Sequence, residues 1–212
     1  MVSWEEFHKG LTVSEPHFKF VDFADKQLKP GMRVLDLGCG KGRHSLYCAR
    51  KGMDTYAVDS AGNALEVLRK ASEEEGLSIR ISKSNIREMP YEDLFFDAIV
   101  SVNVLNHGHR KDIKDYFAES FRVLKKGGLF YIIGLPLDFL KDVKGPDTKE
   151  IEKGTFLGLN TLDSDVPHHL FSRDEIGELL KDYEILSMEN FRERSQWLDK
   201  DVTHLEVIAR KK

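Results

Sequence analysis

Val34-Leu35-Asp36-Leu37-Gly38-Cys39-Gly40-Lys41-Gly42-Arg43 joins an apolar run, a carboxylate and three alternating glycines. An apolar strand ending in Gly-x-Gly-x-Gly brings bare backbone up against a ligand. A helix after the loop completes the context that the motif requires. A second carboxylate, Asp59, follows Val58 seventeen residues past Gly42. At the end of a second strand such a residue accepts hydrogen bonds from ribose hydroxyls. Together they point to a bound nucleoside; the alternative is a tight turn with no ligand.

The residue types narrow the nucleoside. A dinucleotide needs room for a pyrophosphate at the helix N-terminus and usually a further glycine. That position holds Arg43, and Asp36 would meet the phosphates as a like charge. A ligand with an ammonium and a sulfonium would instead be welcomed by Asp36. S-adenosylmethionine carries both, has a ribose for Asp59 and lacks phosphates; its demethylated product is S-adenosylhomocysteine.

Histidines are the candidates for chemistry. His107 lies a few residues past a predicted fourth strand, and imidazole titrates near neutral pH. It is the first candidate base for an acceptor that loses a proton; the other reading is a packing histidine in a turn. His168 and His169 precede a predicted capped helix, and one of them could face the acceptor; the other reading is a surface pair. With His109 these side chains suit zinc or copper, but no local spacing is diagnostic, and no metal is assigned. Arg43 meets an acidic acceptor or, the preferred reading, a surface carboxylate. Trp4, Phe7, His17 and Phe18 form either a lid over the ligand or an aromatic stripe packed on the sheet.

These residues need a frame. Phe18, Val21, Ala24 and Leu28 recur at helical spacing. Strands are expected over residues 32–37, 55–58, 77–81, 96–102 and 129–133. Helices fall between them, the last closed by Gly127-Gly128. Such alternation implies a parallel sheet covered on both faces. Residues 135–171 carry Pro136, Gly145-Pro146, Gly154 and Gly158 and read as an irregular excursion on the substrate side. Ser172 and Glu175 match a capping box, with Phe171 and Ile176 as the staple. Strand signals at 183–188 and 204–209 suggest an antiparallel pair. One domain over 1–212 is expected: a helical lid (1–29), a cofactor-binding core (30–134), the excursion, and a C-terminal helix with paired strands (172–212).

The chain has 212 residues, 41% hydrophobic and 32% charged, with a net charge of −4. The charge gives no general attraction to nucleic acid or anionic lipid. No apolar run approaches a membrane span. Two cysteines exclude a disulfide framework. A cytoplasmic protein with a small-molecule partner is expected, with neither nucleic acid nor membrane.

Five segments resemble the class I S-adenosylmethionine-dependent methyltransferases, in particular the small "type 11" and tellurite-resistance-like groups. They are the glycine loop, Ala57-Val58-Asp59, Phe96-Asp97-Ala98-Ile99-Val100-Ser101, Val104-Leu105-Asn106-His107 and Phe121-Arg122-Val123-Leu124-Lys125-Lys126-Gly127-Gly128. The resemblance implies a Rossmann-like doubly wound α/β sheet of seven strands, the last antiparallel. It implies methyl transfer from S-adenosylmethionine; the alternatives are a non-catalytic sensor and a nicotinamide-dependent oxidoreductase. The acceptor is expected to be a small molecule rather than protein or RNA, because Asn103-Val104-Leu105-Asn106 stands where many amino-group and base methyltransferases carry Asn-Pro-Pro-Tyr. The resemblance places Gly38 and Gly40 against the methionine part, Cys39 between them in the cofactor site, Asp59 on the ribose and Ser60 near the adenine. The backbone of Asn103 would meet the cofactor's amino group. Asn85, beside Ile86, stands where the family often has Asp; its amide oxygen can still accept from the adenine amino group.

Overall fold

The computed structural model describes Glu5, residues 12–195 and residues 198–212. Trp4 and Phe7, half of the expected lid, lie outside the described residues. A seven-stranded sheet is built from β1 (Arg33–Leu37), β2 (Asp54–Asp59), β3 (Ile79–Lys83), β4 (Phe96–Val102), β5 (Leu124–Gly134), β9 (Tyr183–Arg194) and β10 (Asp201–Lys211). Their order is β3-β2-β1-β4-β5-β10-β9. β1 to β5 pair parallel; β10 runs antiparallel to β5 and β9. This is the expected α/β sheet.

Alternation of side chains along each strand divides the core. Leu35, Leu37, Ile99, Phe130 and Ile132 face α4 (Arg110–Val123) and α6 (Arg173–Leu179) through Ile113, Phe117 and Ile176. Val34, Ala98, Val100, Tyr131 and Ile133 face Phe20 and Phe23 of α1 (Phe18–Gln27). On that side Leu46 of α2 (Arg43–Arg50) and Leu65 and Leu68 of α3 (Gly62–Glu74) cover Ala57. Each fully buried Leu or Phe contributes about 1.5–3 kcal/mol. Two strands that read as near-continuous apolar runs are therefore held at the sheet centre.

β1 lies between β2 and β4, so the chain leaves it in one direction and returns on the other side. Ligands bind outside the carboxyl ends of strands at such a switch point. The glycine loop leaves β1 there, and Asp59 and Asn103 end or follow β2 and β4.

Two expectations need correction. α4 ends at Val123 and passes directly into β5, so Gly127-Gly128 lies within the strand. Gly127 has φ +75°, and the β4–β5 register shifts between Phe96 and Ala98, as a bulge requires. Residues 135–171 are not irregular. They hold α5 (Phe139–Val143) and an antiparallel sheet of β6 (Lys149–Glu152), β7 (Thr155–Leu157) and β8 (His168–His169). Leu135, Phe139, Val143, Phe156, Leu159 and Leu170 give it a separate apolar cluster. Strands of four, three and two residues are too short to show a period. Ser172 caps α6 as expected, accepting the Glu175 N–H at 3.2 Å.

Candidate cofactor and acceptor site

A cavity of about 820 Å³ opens over the switch point. Gly38, Cys39, Gly40, Asp59, Ser60, Asn85, Ile86 and Asn103 all line it. The loop needs its glycines. Gly38 has φ +68°, and a Cβ there would lie 2.4 Å from a Val104 methyl. Gly42 has φ +82°, and its Cβ would strike Leu68 at 2.2 Å. Asp59 fastens the loop to β2: Oδ2 accepts the Gly40 N–H and Oδ1 the Ala61 N–H, both at 2.8 Å. Each oxygen keeps a further lone pair.

Asn103 sits at φ +57°, a left-handed conformation that Asn tolerates better than most residues. Its N–H donates to the Ile133 carbonyl at 2.8 Å, which ties the turn after β4 to the end of β5. The cofactor's amino group is a donor and would meet the Asn103 carbonyl, which this bond does not use; the side-chain Oδ1 is a second acceptor, buried without a hydrogen-bond partner. The Asn85 Oδ1 accepts the Arg87 N–H at 3.0 Å and retains one lone pair.

Asp36 departs from expectation. It does not line the cavity. As an even-numbered β1 residue it shares the face of Val34, beneath α2, where it accepts the Ser45 hydroxyl at 2.6 Å. Burial pushes its carboxyl up to about 6, against the pull of Ser45 and Arg43. It acts on the loop from behind. Arg43 is the converse: it lines the cavity, and its charge interacts with Asp36 and Glu193 rather than with a surface carboxylate alone.

The histidines separate. Across an isolated antiparallel bridge, His107 pairs with His168; Gly108 N–H donates to Pro167 O at 2.9 Å and His169 N–H to Asn106 O at 2.7 Å. Paired residues project to one side, so both rings face the cavity, with centroids 5.0 Å apart. Asp163 joins them. Its Oδ2 lies 3.3 Å from His107 Nε2 and 3.2 Å from His168 Nε2. The two rings hold the Asp163 carboxyl far below the usual range despite its burial, while burial lowers His107. A lone base is thus replaced by a three-residue cluster. His169, next along β8, points the other way. It is fully buried, with Nδ1 at 2.8 Å from Thr155 Oγ1 and Nε2 at 2.9 Å from Glu175 Oε2. It holds the excursion to α6 and does not face an acceptor. His109 is exposed, paired with Glu152 at 2.8 Å.

Several lining residues are not singled out by the sequence. Asn106 is fully buried with both amide atoms unpartnered. Asp163 lies in an unremarkable polar run. Glu193 accepts from His17 at 3.0 Å and faces His204 at 2.9 Å, which brings α1's cap and the C-terminal strands to the cavity wall. The segment Val104-Leu105-Asn106-His107 was the one available pointer to Asn106.

This fold and glycine loop define a class I S-adenosylmethionine-dependent methyltransferase domain. Residues 35–132 match the family model described as a methyltransferase domain, and the chain is a member of that class through them. The sterol 24-C-methyltransferase erg6 of Aspergillus fumigatus is 33% identical over 62% of this chain and 35% of its own length. The cyclopropane-fatty-acyl-phospholipid synthase of Escherichia coli K12 is 39% identical over 50% and 27%. The matches thus span about a third of those relatives' length. Among solved structures, TehB from Haemophilus influenzae superposes with a TM-score of 0.74 at 24% identity, covering 98% of this chain and 66% of that one. A methyltransferase from Methanosarcina mazei gives 0.75 at 22%, covering 93% and 99%. These two establish the fold.

Proposed function

We propose that this chain transfers a methyl group from S-adenosylmethionine to a small-molecule acceptor held beside His107 and His168. One observation carries the reading: a single cavity is lined both by the glycine loop with Asp59 and by the His107–Asp163–His168 cluster. Its volume suits a nucleoside cofactor with a modest acceptor.

The residues present fit the cofactor. The spare lone pairs of Asp59 suit ribose hydroxyls, and the unpartnered Asn103 Oδ1 suits an ammonium donor. Asn85 and Ile86 flank the adenine position, and Ser60 lies beside Asp59. When bound, S-adenosylmethionine supplies a methyl carbon on an already activated sulfonium. The chain's own task is then to position the acceptor and exclude water. Leu135, Phe139, Leu162 and Leu198 provide apolar wall, and Asn106 offers an amide to orient a polar acceptor. The relatives named for sterol and fatty-acyl substrates support an acceptor of small-molecule size.

Calorimetry with S-adenosylhomocysteine and with NAD tests the cofactor. Binding of the first alone is expected; binding of NAD alone overturns the reading. A labelled-methyl screen over thiols, phenols, amines and carboxylates tests turnover. Tight cofactor binding with silence across every class would make the chain a sensor instead.

A further inference from the structure

We infer that His107, Asp163 and His168 form a binding site for one divalent transition-metal ion, open to the acceptor space. The three ligand atoms lie within 4.8 Å of one another. The Nε2–Oδ2 separations of 3.3 and 3.2 Å match the spacing of about 3.4 Å between two ligands of a tetrahedral ion with bonds near 2.1 Å. Donor chemistry agrees: two imidazoles and a carboxylate suit zinc or ferrous iron, with remaining positions left for water or substrate.

The arrangement around the three ligands supports the same conclusion. His168 Nδ1 lies 2.8 Å from the Val166 carbonyl oxygen, which only accepts, so Nδ1 carries a hydrogen. Its Nε2 is then the atom turned to the carboxylate, and in the neutral ring its lone pair can take a cation in place of the proton it would otherwise share with Asp163. Backbone carbonyls on the far ring nitrogen are the usual way that metal-binding histidines are oriented. The backbone bridge between His107 and His168 fixes both rings, and the Val166 N–H to Asp163 O bond at 2.9 Å closes the turn that presents the carboxylate. Thr161, two residues before Asp163, also lines the cavity, and its Oγ1 is buried without a hydrogen-bond partner.

This deepens the methyltransferase reading and, as to acceptor, rests on it. A thiol or hydroxyl that coordinates the ion loses its proton to solvent more readily. The site therefore selects acceptors that bind metal through an anionic sulfur or oxygen, and no separate base is required of His107.

Zn²⁺ and Co²⁺ titrations of the full chain test the site. One ion per chain is expected. His107→Ala, Asp163→Ala and His168→Ala should each weaken binding by about 100-fold or more, since even outer partners of such sites are worth 10–100-fold. The exposed His109→Ala should bind as the parent does. Because the variants could fail to fold, the parent's Co²⁺ complex is also examined by NMR. Paramagnetically shifted resonances from two imidazoles support the site; none, or resonances from other histidines, overturns it. Substoichiometric binding, or binding indifferent to all three substitutions, also overturns it. A parallel S-adenosylhomocysteine titration keeps the two readings apart. Nucleoside binding without metal binding removes the metal site and leaves the methyltransferase; the reverse result does the opposite.

Discussion

Asp36 and Asp59 are both acidic residues at strand ends, and their surroundings give them different work. Asp59 keeps lone pairs facing the cavity and also fastens the glycine loop. Asp59→Ala is therefore expected to weaken S-adenosylhomocysteine binding by about 1–3 kcal/mol, the range for losing a charged hydrogen-bond partner; calorimetry with an unchanged Kd would remove it from the ribose role. Burial raises the Asp36 carboxyl to about 6, above its ordinary 3.8. Its contribution to folding is thus fully present below the unfolded value and is lost as pH rises through about 6. A cationic ligand has the opposite preference, because it favours the ionised carboxylate. Cofactor affinity should then rise between about pH 5 and pH 7, and Asp36→Asn should flatten that rise. An identical pH profile in the variant would show that Asp36 does not sense the ligand's charge.

Short elements decide how these side chains are presented. The loop after β1 tolerates no Cβ at Gly38, where Val104 would be 2.4 Å away. Gly38→Ala should abolish measurable cofactor binding while circular dichroism stays near that of the parent; retained binding would mean that Val104 gives way freely. The Ser172 cap of α6 tests a different link. Ser172→Ala should lower stability by about 1 kcal/mol in denaturant titration, with no effect on cofactor affinity. Glu175 does not return to the cap as the sequence pattern suggested. Its Oε2 meets His169 and its Oε1 meets Arg110 at 3.2 Å, so a local signature has been put to tertiary use. This is also why the His168-His169 pair was ambiguous: alternation along β8 sends one ring to the cavity and the other to α6.

Across the whole molecule, the site is closed by parts far apart in the chain. His17 and Glu193 are 176 residues apart and meet at 3.0 Å. His17 and His204 draw the Glu193 carboxyl down to about 2, against burial. A depressed acid contributes stability that is present above its unfolded value near 4.5 and is lost as pH falls through about 2. Glu193→Gln should lower stability at pH 7 by about 1–3 kcal/mol and shrink the loss between pH 5 and pH 3; an unchanged thermal midpoint would show that the contact adds nothing. The order of elements, the parallel core, the antiparallel end and the glycine-loop ligand class were legible in the chain, because each depends on local period, turn residues or a contiguous motif. Asp36's true position required knowing which face of β1 α2 covers. Asp163 and Asn106 gained meaning only when the excursion folded into its own small sheet and set 163 and 168 against 107. Local chemistry is written in neighbouring residues, whereas a site assembled from the ends of several strands exists only once the sheet has ordered them.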